Sequence, residues 1–130
     1  MDMSLLKSSI LIVDDSDYIK AITSTLLKRE GFVNIYVASD GISALEKFKE
    51  LNPDLVILDI MLPKMNGFDV LVEIKKLNPQ AKVIVISSLA TIDNIQQAKN
   101  AGAAYYLVKP FDNQYFIKTV KELLTTKGKE

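Results

Sequence analysis

The residues of this chain that could do chemistry stand at the ends of short apolar runs. Asp14-Asp15 follows Ile10 to Val13, and Asp59 follows Leu55 to Leu58. Ser87-Ser88 follows Val83 to Ile86, and Lys109-Pro110 follows Ala104 to Val108. The run Ile35 to Ala38 ends in Ser39-Asp40. The chain has no histidine and no cysteine. That excludes Ser-His-Asp catalysis, imidazole and thiolate metal sites, disulfides and a phosphohistidine carrier. Carboxylates, hydroxyls and amines remain.

Each group alone has an ordinary reading. Asp14-Asp15 could cap a helix and oppose its dipole. Ser87 could be a turn residue and Lys109 a solvated surface lysine. Asp59 could accept a hydrogen bond from a loop amide, although every other residue from Leu55 to Leu62 is apolar and would leave its carboxylate desolvated. Gathered in one cleft, three ionised aspartates would need a divalent cation and Lys109 to reach neutrality. Hard oxygen ligands with positions left for water suit Mg²⁺. Such a cleft can take a phosphoryl group, with Asp59 attacking in line and Lys109 and Ser87 binding phosphoryl oxygens. The product is an aspartyl phosphate, a mixed anhydride that hydrolyses unaided.

The elements that would gather these groups follow from two alternating periodicities. The five apolar runs are continuous and rich in β-branched residues, as in strands buried on both faces. Between them lie helical stripes: Ile19, Ile22 and Leu26; Leu45 and Phe48; Val70, Leu71, Ile74 and Leu77; Ile92, Ile95 and Ala98. The last, Phe116, Ile117, Val120, Leu123 and Leu124, is the clearest. Gly31, Asn52-Pro53, Asn78-Pro79 and Gly102 punctuate the helix ends, and Asn66 and Asp112 stand where N-caps belong. The pattern is (βα)₅, an α/β fold with a doubly wound parallel sheet. Ligands bind such sheets beyond the carboxyl ends of the strands, which is where the candidate residues stand. Strand two, with Ser39-Asp40, is expected at an outer edge.

The 130 residues, 48% hydrophobic and 25% charged, read as one globular domain with a core from about 9 to 124 and a frayed tail from Thr125 to Glu130. Sixteen basic residues balance sixteen acidic ones, so no basic field exists to hold nucleic acid or anionic lipid. No stretch has the length of a signal peptide or membrane span, which makes a cytoplasmic protein the expectation.

The arrangement resembles the receiver domain of two-component response regulators. Leu11-Ile12-Val13-Asp14-Asp15 matches the acidic pair of the first strand, and Leu58 through Gly67 the phosphoacceptor strand and its loop. Ile86-Ser87-Ser88 matches the strand-four hydroxyl, and Tyr106 through Phe111 the switch aromatic and lysine-proline pair. The resemblance implies a flavodoxin-like sheet in order 2-1-3-4-5. It implies Asp59 as phosphoacceptor for a sensor histidine kinase or phosphotransfer protein. Asp14, Asp15, Asp59 and the Met61 backbone carbonyl would hold Mg²⁺, with Lys109 on the phosphoryl group and a cis Lys109-Pro110 bond. Ser87 would follow the phosphoryl group and Tyr106 turn inward, reshaping the surface of helix four, strand five and helix five for a downstream protein. The domain would be a monomer or a phosphorylation-dependent dimer. It would not be an enzyme in the usual sense, only promoting its own modification and its decay.

Met61 and Leu89, two residues beyond Asp59 and Ser87, offer no polar group to orient a hydrolytic water, so slow self-dephosphorylation is expected. A flavodoxin-like cofactor binder is a rival on the same fold, but Asp14-Asp15-Ser16-Asp17 would repel a flavin phosphate, and no G-x-G-x-x-G is present. An aspartate-based phosphatase would want an acid where Met61 stands. A receiver used only for protein interaction would not need the complete acidic set. With no output region after the last helix, the chain reads as a stand-alone receiver or one excised from a longer protein.

Overall fold

In a computed structural model describing residues 3–125, five strands alternate with five helices after a short 3₁₀ turn, Met3–Lys7. The strands are β1 (Ser9–Val13), β2 (Asn34–Ala38), β3 (Leu55–Asp59), β4 (Lys82–Ser87) and β5 (Tyr105–Val108). The helices are α1 (Asp17–Arg29), α2 (Gly41–Leu51), α3 (Gly67–Leu77), α4 (Ile92–Asn100) and α5 (Asn113–Thr125). All pairings are parallel, in the order β2-β1-β3-β4-β5. The tail beyond Thr125 lies outside the described residues.

Because side chains alternate along a strand, each central strand feeds two cores. Leu11, Val13, Val56, Leu58, Val83 and Val85 meet Phe48 of α2 and Phe68, Leu71 and Ile74 of α3 on one face. Ile10, Ile12, Leu55, Ile57, Ile84 and Ile86 meet Leu27 of α1 and Phe116, Val120 and Leu124 of α5 on the other. Each such side chain, fully buried, contributes about 1.5–3 kcal/mol.

The helix ends follow their sequence signals. Asn66 caps α3 by accepting from the Phe68 N–H, and Asp112 caps α5 by accepting from the Tyr115 N–H. Gly31 and Gly102, at φ of 103° and 101°, close α1 and α4. After α1, the Gly31 and Phe32 N–H groups donate to Lys28 and Leu27 carbonyls; after α4, Gly102 and Ala103 donate to Lys99 and Ala98. Both are Schellman motifs, in which glycine takes the left-handed position.

Four expectations need correction. In α1 the buried line is Lys20, Thr23 and Leu27, not Ile19, Ile22 and Leu26, of which Ile22 is exposed. Adjacent helical residues point about 100° apart, so a slip of one position turns a stripe off the core. In α4 only Ala98 is buried, and Ile92 is 82% exposed. Leu77, at the end of α3, is exposed as well. Nor are all five strands covered on both faces. Edge strands β2 and β5 expose Tyr36, Val37 and Val108, because each lacks a neighbour on one side. The open edge of β2 is partly blocked by the Lys47 amine, which donates to the Val37 carbonyl.

Candidate functional site

The strand order places Asp14, Asp59, Ser87 and Lys109 at the carboxyl ends of four successive strands, β1, β3, β4 and β5. Neighbouring strands lie about 4.8 Å apart, so these side chains share one cleft. Asp14 and Asp59 are buried, 4% and 5% exposed. Each forms the same local turn. Asp14 Oδ1 accepts the Ser16 N–H at 2.9 Å, and Asp59 Oδ1 accepts the Met61 N–H at 3.0 Å. The Oδ2 atoms are left for Lys109, whose Nζ lies 3.0 Å from Asp14 and 3.1 Å from Asp59. One amine thus bridges two carboxylates.

The electrostatics follow from burial. Desolvation pushes the Asp59 carboxyl up from its ordinary value of 3.8; the Met61 N–H works the other way, and the charge of Asp14 adds to the rise. The bond from Lys109 does not cancel that rise. Burial acts to lower the Lys109 amine, but the bonds and charges of Asp14 and Asp59 reverse it, and Lys109 is held above 10.5. The lysine stays protonated, and Asp59 is a more basic carboxylate than an exposed one.

Asp15 is exposed and completes the acidic set: one carboxylate oxygen from each of Asp14, Asp15 and Asp59 lies within 4.8 Å of the others. Three hard oxygen donors at a partly open cleft fit Mg²⁺ and offer nothing to a softer metal. The helix-cap reading of the acidic pair does not hold, since Ser16 caps α1 by accepting from the Ile19 N–H.

Ser87 is fully buried, and its Oγ accepts the Leu89 N–H at 3.0 Å. The Leu89 carbonyl accepts the Tyr106 hydroxyl at 2.6 Å. Tyr106 is half-buried and packs on the core under α2, α3 and α4. The Leu89 backbone is therefore held from both sides, by the hydroxyl at the cleft and by the aromatic of β5. The Leu89 and Met61 side chains are exposed at the mouth. The Lys109-Pro110 bond is cis, as expected, and the Lys109 N–H donates to the Ser87 carbonyl.

Asp40, expected at an outer edge, stays apart from the cleft. It caps α2 by accepting from the Ser43 N–H and meets Lys64 Nζ at 3.6 Å. The Ser43 N–H bond, and then the charge of Lys64, lower its carboxyl below 3.8.

Three residues support the site in ways the sequence does not show: Gly67 reads only as part of the loop motif, and Lys20 and Gly41 are not singled out. Lys20 is 7% exposed; its amine donates to Ser39 Oγ and lies 3.2 Å from Asp17, tying the β2–α2 loop to the start of α1. Gly67 donates its N–H to the Ile60 carbonyl at 3.0 Å, and a Cβ there would lie 2.5 Å from Ile60 Cα. A Cβ on Gly41 would lie almost as close to Met65, 2.6 Å from its Cβ. A glycine at a helix start signals close approach, which could have marked both; a single lysine in a helix carries no such signal.

The family model for the response regulator receiver domain matches residues 10–121. The chain is 36% identical over 114 residues to chemotaxis protein CheY of Thermotoga maritima, covering 88% of this chain and 95% of that protein. It is 32% identical over 124 residues to sporulation initiation phosphotransferase F of Bacillus subtilis, covering 95% and 99%. Among solved structures, a CheY-like receiver domain from Methanospirillum hungatei superposes with a TM-score of 0.90 at 32% identity, covering 95% and 98%.

Proposed function

The chain belongs to the response regulator receiver domain family of two-component signalling, and from that premise we propose that it is a phosphoacceptor switch. Asp59 takes a phosphoryl group from the phosphohistidine of a partner sensor histidine kinase or phosphotransfer protein, and the modified domain controls a downstream protein. The observation that carries this reading is the amine of Lys109 shared between Asp14 and Asp59 at 3.0 and 3.1 Å. A buried basic carboxylate beside a protonated amine is a nucleophile paired with its own anion holder.

In the transfer, an Asp59 oxygen forms a bond to phosphorus while the bond from phosphorus to the donor imidazole nitrogen breaks. The imidazole leaves and regains its proton from solvent. Lys109 moves its hydrogen bonds from carboxylate to phosphoryl oxygen. The Ser87 hydroxyl, which accepts the Leu89 N–H, keeps its own proton free to donate to another phosphoryl oxygen. Asp14, Asp15, Asp59 and the Met61 carbonyl would hold Mg²⁺, which when bound supplies charge neutralisation for the incoming phosphoryl group.

The readout follows the Leu89 backbone. A shift of Ser87 toward the phosphoryl group pulls on Leu89, whose carbonyl holds Tyr106, and alters the α4–β5–α5 face. That face already exposes Ile92, Ile95, Val108 and Tyr115, apolar surface suited to a protein partner rather than nucleic acid. The setting is the cytoplasm, as monomer or phosphorylation-dependent dimer; among the described residues no helix is long and apolar enough to cross a membrane. The exposed Met61 and Leu89 at the cleft mouth offer no polar group to orient a water for hydrolysis, and the aspartyl phosphate decays slowly.

Incubation with Mg²⁺ and a small phosphodonor, followed by intact mass, tests the reading. One phosphoryl group is gained by the natural chain and none by Asp59→Asn. A gain that persists in Asp59→Asn, or no gain at all, refutes it. In the same assay Met61→Asn shortens the lifetime of the modified protein; equal decay in both refutes the hydrolysis argument.

A further inference from the structure

We propose that Asn66-Gly67 is a gated deamidation site, closed by the native fold and opened only when the loop between β3 and α3 lifts from its neighbours. The chain has this dipeptide nowhere else. Asn followed by Gly is where a main chain most readily attacks a side chain, because glycine has no Cβ to obstruct the approach. The Gly67 nitrogen loses its proton and bonds to the Asn66 side-chain amide carbon, and ammonia leaves. Water then opens the resulting succinimide. Opening at one carbonyl gives aspartate; opening at the other gives isoaspartate, whose main chain is one methylene longer.

The native loop obstructs each requirement of that reaction. The Gly67 N–H is committed to the Ile60 carbonyl at 3.0 Å, which opposes loss of its proton. Asn66 Oδ1 accepts the Phe68 N–H at 2.7 Å, which pins the side-chain amide over the start of α3. The Asn66 backbone, at φ −59° and ψ 137°, is far from the eclipsed arrangement about Cα–C that the five-membered ring needs.

The loop is also locked from outside. A Cβ on Gly41 would lie 2.6 Å from Met65 Cβ and 2.8 Å from Val70 Cγ2, so the start of α2 presses on the residue before Asn66. Lys64 Nζ reaches Asp40 at 3.6 Å across the same junction. Lifting the loop breaks both contacts. Isoaspartate formed in such an opening could not be reseated. The longer main chain would have to pass where Gly67 has no room even for a Cβ, 2.5 Å from Ile60 Cα. The Met61 N–H that holds Asp59 lies in the same loop and would lose its register.

The test is to hold the folded and the urea-unfolded protein at mildly alkaline pH, and follow the amide-to-acid mass gain in the peptide containing Asn66. Isoaspartate is scored by an isoaspartyl methyltransferase. The native rate should be at least about tenfold below the unfolded rate, the suppression given by an opening free energy of about 1.4 kcal/mol. Gly41→Ala, which leaves the reacting dipeptide unchanged, should raise the native rate toward the unfolded one and leave the unfolded rate as it was. If that variant does not fold, Lys64→Gln removes the ion pair alone and should move the native rate the same way by less. Native and unfolded rates within about twofold of each other would overturn the proposal, as would first modification at a different asparagine.

Discussion

Replacing Lys109 by methionine removes the one charge that both buried aspartates share. At 3.0 and 3.1 Å and an effective dielectric of about 20, each pair attracts by about 5 kcal/mol before desolvation is counted. Taking the amine out of water offsets much of this, and the Lys109 side chain keeps 21% of its exposure. Breaking a buried pair from one side costs about 3–5 kcal/mol; screening at this partly open site brings the expectation to about 3 kcal/mol. Methionine keeps the length and apolar stem of lysine, so packing changes little. In urea the midpoint of Lys109→Met should fall by about 1–3 M, given slopes of about 1–3 kcal/mol per molar. The variant also leaves Asp14 and Asp59 repelling each other with no internal counterion. Mg²⁺ should therefore stabilise Lys109→Met more than the natural chain, which yields about 2.7 kcal/mol when the ion stands at about 100 times its Kd. Paired melts with Mg²⁺ and with a chelator measure both effects. A midpoint that barely moves, or a gain from Mg²⁺ no larger in the variant, would refute the view of Lys109 as counterion to both acids.

Asp59 and Lys109 both make stability fall as pH rises, in two separate windows. Asp59 holds its proton to higher pH folded than unfolded, so the native state binds more protons just above pH 3.8 and stability falls as pH rises through that window. Asp59→Asn should flatten that slope in melts from acid to neutral pH and leave the variant the more stable at pH 7; an unchanged slope contradicts the desolvation argument. Lys109, held above 10.5, contributes stability that is complete below 10.5 and lost as pH rises through its higher folded value. Gly67→Ala should cost about 1–3 kcal/mol or more by forcing a Cβ onto the Ile60 backbone, read as a lower urea midpoint with weakened Mg²⁺ binding. Tyr106→Phe removes the bond to the Leu89 carbonyl, at about 1 kcal/mol, and should speed amide exchange in the β4–α4 loop while sparing β1 and β3.

Much of the site was legible because topology does the gathering. Once the apolar runs are parallel strands, Asp14, Asp59, Ser87 and Lys109 have to meet at their carboxyl ends, whatever each would mean alone. Helix register was less legible. Ile22 and Ile92 read as core because they are apolar and helically spaced, yet tertiary packing chose Leu27 and Ala98. Lys20 gave no signal in the sequence, because nothing about a lone helical lysine tells whether its stem is covered; folded, the residue is 7% exposed and the amine reaches Ser39. The shared amine was only half visible. Lys109 was placed in the cleft, but its bridging of Asp14 and Asp59 at equal range depends on two identical turns that free one oxygen of each.

The sheet's uneven covering bears on where movement can go. Asp59 terminates a strand whose side chains are at most 5% exposed, flanked on both sides by strands almost as deep; Tyr106 belongs to a rim strand with one flank open to solvent. A chemical event at the first is struck against an anvil, and the nearest compliant part of the frame is the second. Deformation would therefore run sideways toward that rim, along the hydrogen bonds that join Ser87 to Leu89 and Leu89 to Tyr106.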